Sequence, residues 1–239
     1  MPAVMALSIC TGFGNRKHCF DVPDRVETGS PVQSELVILS ANEAEAFAKL
    51  LPLLGCGEEA AALAFDGLAI CYRDDDVIAK SLKLIAHEER VHDAMLGRVA
   101  QSLPPAPIQM QLIDRVQRLH IGFTRGGTAH HLARIAALDS AVCTILGRLL
   151  HEAGPVAADP LLSRTLGRIR RDEAGHVKLS RKLALELGVS SAMREVAAEA
   201  RNGLADVLRL ADGALEALGV DAHVLDRDLR QLPNGLLAG

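Results

Sequence analysis

The chain has 239 residues, a length that suits one domain, and 49% hydrophobic with 23% charged residues is a globular balance that excludes disorder across the chain. A net charge of −4 gives no electrostatic case for a nucleic-acid partner, and no apolar run reaches the length of a membrane span. Aromatic residues make up only 3%, with no Trp and one Tyr, so stacking surfaces and β-sandwich cores are poorly supplied; Ala and Leu dominate, and the expected fold class is all-α.

Residues 1–40 read as an irregular N-terminal segment, with Gly12, Gly14, Pro23, Gly29 and Pro31 and no clear period. Residues 41–239 read as a single helical domain. The apolar stretch Ala3–Cys10 is short and no positive charge precedes it, so it is not read as a signal peptide. Cysteines 10, 19, 56, 71 and 143 form no CxxC pair and no even framework. They are expected to be reduced thiols in a cytoplasmic protein. Cys10, His18 and Cys19 match no metal-ligand spacing.

A helical pattern over 42–54 (Ala44, Phe47, Leu50, Leu51) is expected to break at Pro52 and the Gly55-Cys56-Gly57 turn. A second helix is predicted over about 58–73, with the stripe Ala61, Ala62, Phe65, Leu68, Ala69 and Tyr72. Asp74-Asp75-Asp76 supplies a cap for a helix to about 102, closed by Pro104, Pro105 and Pro107. A short amphipathic helix over 108–121 leads to the Gly126-Gly127 break, and the next helix covers 128–152. Asp159-Pro160 opens a helix that runs to about Leu187, where Gly188 stops it. Two more helices are predicted, about 191–218 and 222–232. Tight links within the pairs 58–73/75–102 and 128–152/160–187 make two hairpins. The long connection between them matches one recognised four-helix-bundle topology, the ferritin-like one. The metal-binding core would span about 58–187, with further helices before and after it.

Two Glu-x-x-His sequences carry the chemistry: Glu89-Arg90-Val91-His92 and Glu173-Ala174-Gly175-His176. The i, i+3 spacing puts both side chains on one helix face. Each pair sits midway along an apolar stripe, in the places where Leu would continue 78-82-85-89-92-96-99 and 162-166-169-173-176-183-187. On an exposed helix such a pair would be merely solvated. Within a hairpin, a residue level with Glu173 must precede the turn by as much as Glu173 follows it. Asp139 meets this condition: the midpoint of 139 and 173 is 156, inside the 154–160 loop. Glu58 and Glu59 are both level with Glu89 across the 74–76 turn. Glu58 shares a face with Ala61, Ala62, Phe65, Ala69 and Tyr72, and Glu59 shares one with Asp66 and Arg73. Glu58 is the better candidate, and Glu59 stays open. Four carboxylates and two imidazoles then meet in a helical core. Two divalent cations would offset their burial, and this mixed donor set suits iron or manganese better than structural zinc.

The set Glu58, Glu89-x-x-His92, Asp139, Glu173-x-x-His176 resembles the ferritin-like diiron-carboxylate superfamily, which includes ferritins, rubrerythrins and diiron mono- and N-oxygenases. Phe65, seven residues after Glu58, and the stretch Arg171–Val177 add to the resemblance. It departs at Asp139, where Glu is usual; a shorter arm bridges two metals less easily. The resemblance implies a non-haem diiron oxidase or oxygenase that activates O2 to oxidise a small organic substrate. Two iron ions would serve as cofactor, with manganese an alternative at either site, and a ferredoxin or flavin reductase would donate electrons. A homodimer contact is one use for the extra helices. The alternatives are a ferroxidase or peroxidase of ferritin or rubrerythrin type, and a non-enzymatic helical metal-binding interaction protein. The lone Tyr72 leaves no aromatic relay for a radical-generating subunit, and the absence of a CxxC pair argues against a full rubrerythrin.

Other residues are weaker signals. Ala61, Ala62 and Gly175 would either leave room beside the metals or allow close helix packing. Cys143, one turn after Asp139, reads as core packing or as cavity lining. His87 should face away, and His130 and His131 are expected at the surface. Asp172 is either the acceptor that a ligand imidazole needs or a surface charge. Arg90, Arg170 and Arg171 are expected to be solvated.

Overall fold

The computed structural model describes residues 37–105, 110–123, 125–188 and 190–232, apart from the Asp212 side chain. The expectations for residues 1–36, including Cys10, His18 and Cys19, lie outside these. Among the described residues the protein is all-helical, with nine α-helices and no strand. They are α1 (Ala41–Cys71), α2 (Asp76–Gln101), α3 (Met110–Phe123), α4 (Thr128–Leu149), α5 (Pro155–Ala158), α6 (Pro160–Glu186), α7 (Ser191–Leu208), α8 (Asp212–Ala217) and α9 (Ala222–Arg230). No helix among them is long and apolar enough to cross a membrane.

Local chemistry sets the helix starts. Ser40 and Glu43 form a reciprocal capping box on α1. Asp75 accepts from the backbone N–H groups of Val77 and Ile78 at 3.1 and 3.0 Å. Asp159, wholly buried, accepts from Leu162 N at 2.9 Å and from Ile38 N at 2.6 Å, so one carboxylate caps α6 and ties down the approach to α1.

Two expectations fail on packing. The break at Pro52 and Gly55–Gly57 does not occur; α1 is continuous for 31 residues. Proline costs about 3 kcal/mol in a helix interior and glycine about 1. Leu50, Leu51, Leu53 and Cys56 are buried through this stretch, and each large apolar side chain returns about 1.5–3 kcal/mol. The expected helix 191–218 is divided by a 3-10 turn at Arg209–Ala211. Its first part packs on α4 and its last part on α1, which one straight helix does not do. Helix α4 ends at Leu149 rather than near 152, and Leu187 lies exposed at the end of α6.

Helix α1 packs chiefly on α2, and α4 on α6, while α2 also meets α6 and α4 meets α1. Two apolar clusters fill this core. The first holds Leu53 and Cys56 of α1, Leu96 and Val99 of α2, Ile145 and Leu146 of α4, and Leu166 and Ile169 of α6. The second holds Phe65 and Leu68, Leu82 and Ile85, Leu132 and Ile135, and Leu183 and Ala184 of the same helices. Along every one of the four helices, the changeover from one cluster to the other falls where a candidate ligand stands. Helix α2 ends at the first cluster and α4 begins at the second, so the connection through α3 runs the length of the core.

Asp159→Ala should lower unfolding stability by about 1–2 kcal/mol through the lost cap, read from urea denaturation at unchanged metal content.

Candidate metal centre

Glu58, Glu89, His92, Asp139, Glu173 and His176 are all buried, between 0 and 7% exposed, in a largely apolar interior. Their donor atoms form two groups: Glu58, Glu89, His92 and Glu173 in one, Asp139, Glu173 and His176 in the other, with each group's atoms within 4.8 Å of one another. Glu59 is exposed and takes no part, so the alternative left open at that position resolves to Glu58.

Both imidazoles turn Nδ1 inward. His92 Nδ1 lies 3.2 Å from Glu58 Oε2, 3.4 Å from Glu89 Oε2 and 3.6 Å from Glu173 Oε1. His176 Nδ1 lies 3.0 Å from Glu89 Oε1 and 3.6 Å from Glu173 Oε2. Glu89 and Glu173 therefore each direct one oxygen to each imidazole, and the ring centroids stand 6.0 Å apart. Glu58 serves the His92 side alone and Asp139 the His176 side alone. The short arm of Asp139 thus falls at an end position, and the two spanning positions are both Glu.

The outer nitrogens are held crosswise. His92 Nε2, on α2, meets Asp172 Oδ2 of α6 at 3.1 Å; His176 Nε2, on α6, meets Glu88 Oε2 of α2 at 3.0 Å. A carboxylate only accepts, so each Nε2 carries a proton, and a ring that gives up its Nδ1 proton would turn that lone pair to the interior. Asp172 also accepts from Arg168 at 3.3 Å. Its expected role as an imidazole acceptor is realised; Glu88 was not anticipated. The signal was present as an acidic residue directly before each Glu-x-x-His glutamate, Glu88 and Asp172.

The protein alone leaves this cluster unsatisfied. Both oxygens of Glu89, Asp139 Oδ2 and His176 Nδ1 have no hydrogen-bond partner, although His176 Nδ1 and Glu89 Oε1 are close. Buried polar atoms in that state each cost about 1–3 kcal/mol. Donors bound side by side on one cation at about 2.1 Å lie about 3 Å apart, near the spacings seen here. The donor set fits metal ions: carboxylate oxygens and imidazole nitrogens facing a common centre, oriented from behind.

Without metal, protons do the balancing. Burial pushes Glu58 and Asp139 well above the usual carboxylate range. Burial also opposes charge on Glu89, but His176 and His92 outweigh it and hold that carboxyl at about 2. Burial disfavours the charged imidazoles, yet Glu173, Glu58 and Glu89 push His92 up to about 12, and Glu173 and Glu89 push His176 up to about 11.

Neighbouring residues sort clearly. Phe65 packs edge-on against His176 at 5.8 Å. Cys143 Sγ contacts Arg170 O at 3.7 Å, and burial with the charges of Glu173 and Asp139 pushes its thiol up to about 12, so it borders the cluster as a neutral thiol. Cys56, Cys71 and Cys143 are free thiols. Gly175 is exposed and an added Cβ would meet nothing within 4 Å, so it neither opens space beside the ligands nor permits close packing. His87 is exposed, as expected; His130 and His131 are half-buried rather than at the surface, and burial brings His131 down to about 4. Arg170 and Arg171 are exposed, while Arg90 pairs with Asp66.

No protein-family model matches this chain, and no curated protein or solved structure matches it either.

Cations must displace the protons that His92 and His176 hold at neutral pH. Metal binding should release protons, about one per imidazole with further protons from Glu58 and Asp139, and tighten as pH rises through the neutral range. Titration calorimetry in buffers of different ionisation enthalpy reads the proton count; a heat independent of buffer would contradict it.

Proposed function

We propose that this protein is a non-haem diiron oxidase or oxygenase, with a ferritin-like arrangement of α1, α2, α4 and α6 around a carboxylate-bridged dimetal centre. One observation carries the reading. Glu89 and Glu173 each span two inward-facing imidazoles, with Glu58 closing one end and Asp139 the other. Four carboxylates match two divalent cations in charge, and iron suits the mixed oxygen and nitrogen donors.

When bound, such a metal pair supplies Lewis acidity and one-electron redox steps for O2 chemistry. The chain's own residues do the rest. Glu89 and Glu173 fix the separation of the two positions. His92 and His176 would offer Nδ1 to the metals while Asp172 and Glu88 hold their rings in orientation. The apolar clusters above and below exclude water from the oxidising site. Phe65, the ring against His176, carries no hydroxyl, and the sequence has a single Tyr and no Trp. This favours oxidation of a bound small molecule over storage of a side-chain radical. The reductant is an external electron donor, and the cytoplasm is the compartment consistent with free thiols.

Iron-edge anomalous diffraction from crystals of the iron-loaded protein should show two ions about 3.5–4 Å apart. Substrate-dependent O2 uptake supports the oxygenase reading, whereas O2 uptake with mineral formation and no substrate favours a ferroxidase. Glu173→Ala should abolish loading of both ions, while Glu58→Ala and Asp139→Ala each remove about one, measured by plasma mass spectrometry. Full loading of the Glu173 variant would overturn the ligand assignment.

A further inference from the structure

The solvent face of α6 carries charges that the ligand set does not use. At 100° per residue from Glu173, the residues Arg164, Arg168, Arg171, Lys178 and Lys182 all point within about 40° of directly away from the core. All five are exposed. Across its length α6 holds seven Lys or Arg against three Asp or Glu, in a chain whose net charge is −4. Asp172 offsets Arg168, and Glu186 lies 3.8 Å from Lys182. Arg171 and Lys178 form no ion pair among the described residues. The positive line is about 27 Å long at 1.5 Å per residue.

Between these cations two glycines leave space over the backbone. Gly175 has no neighbour for a Cβ within 4 Å, and at Gly167 only Arg171 Nη1 comes near, at 3.8 Å. Neither has the positive φ seen at Gly126 or Gly188. Each glycine weakens the helix relative to alanine, with no turn or packing demand at either position.

On its α2 side the face borders the outer end of the ligand network, where Asp172 lies about 80° round the helix from its centre. Asp172 is 25% exposed and holds His92; Glu88 is 32% exposed in the neighbouring α2–α6 groove and holds His176. One carboxylate and one imidazole separate solvent from each half of the cluster.

We propose that the solvent face of α6 is the docking surface for an acidic electron-carrier protein of the iron–sulfur type, with its redox group toward the α2 edge of that face, beside Asp172 and Glu88. This rests on the dimetal reading above. Each reduced carrier gives up one electron, so two successive encounters reduce the loaded pair by one electron per ion. A protein carrier fits better than nucleic acid, because the overall charge is negative and no aromatic residue lies among the cations for base stacking. A narrow, charged strip matches transient redox encounters.

The test uses the full chain and a strongly acidic [2Fe–2S] ferredoxin as probe. Stopped-flow oxidation of the reduced ferredoxin by the iron-loaded protein should be fast at low salt and fall steeply with ionic strength. In the double variant Arg171→Glu/Lys178→Glu the rate constant should drop about tenfold or more and lose most of its salt dependence. The double variant Arg73→Glu/Arg118→Glu, with the same change in net charge elsewhere, should stay near the parent. Equal losses in both variants, or none in either, would overturn the proposal. Titration calorimetry of the same ferredoxin against the metal-free proteins reads docking without the metal: loss of binding confined to the α6 variant supports the surface even if no iron pair forms, which would sink only the dimetal reading. Tighter binding of the α6 face to an oligonucleotide or to anionic phosphatidylglycerol vesicles than to ferredoxin also overturns it.

Discussion

Taking a carboxylate out of water costs several kcal/mol unless other charges and hydrogen bonds replace the solvent. Four helices of this protein each deliver such a carboxylate to the same level of an apolar interior, and two of them add an imidazole. The protein's own hydrogen bonds are too few to satisfy them, as the unpartnered oxygens of Glu89 and Asp139 show. An apolar replacement of the same volume would pack without that cost. Such a layer could hold metal ions in place of the missing hydrogen bonds. The long uninterrupted α1, the two apolar clusters and the crossover through α3 all serve to bring four helix midpoints together.

That layer is what made the sequence informative. Helical period alone places Glu89, His92, Glu173 and His176 on buried stripes, because no solvated pair would interrupt a run of Leu and Ile there. Level-matching across short turns then finds Glu58 and Asp139, since a tight hairpin ties distance before the turn to distance after it. Local signals fared worse where tertiary packing overrides them. Pro52 and three nearby residues of the Gly55–Gly57 turn read as a break, yet buried leucines on either side hold α1 straight. The bend at Arg209–Ala211 carries no Pro or Gly within it. It arises because the following residues must reach a different neighbour, which a one-dimensional pattern does not state.

The roles within the cluster needed three dimensions. Which carboxylates span and which sit at the ends depends on the distances of single oxygens, so the end position of the short Asp139 was legible only from the structure. Glu88 was equally hidden, because half-exposed acidic residues on a helix are common. Its pairing with a histidine eighty-eight positions away identifies it.

The crosswise pairs have a mechanical implication. Asp172 of α6 steadies a ring on α2, while Glu88 of α2 steadies a ring on α6. Sliding either helix by one residue, or rolling it by a third of a turn, would detach both rings at once. The register of α2 against α6 is therefore locked at two points of opposite sense, like a pair of interlaced fingers, and the two halves of the centre must keep or lose their alignment together.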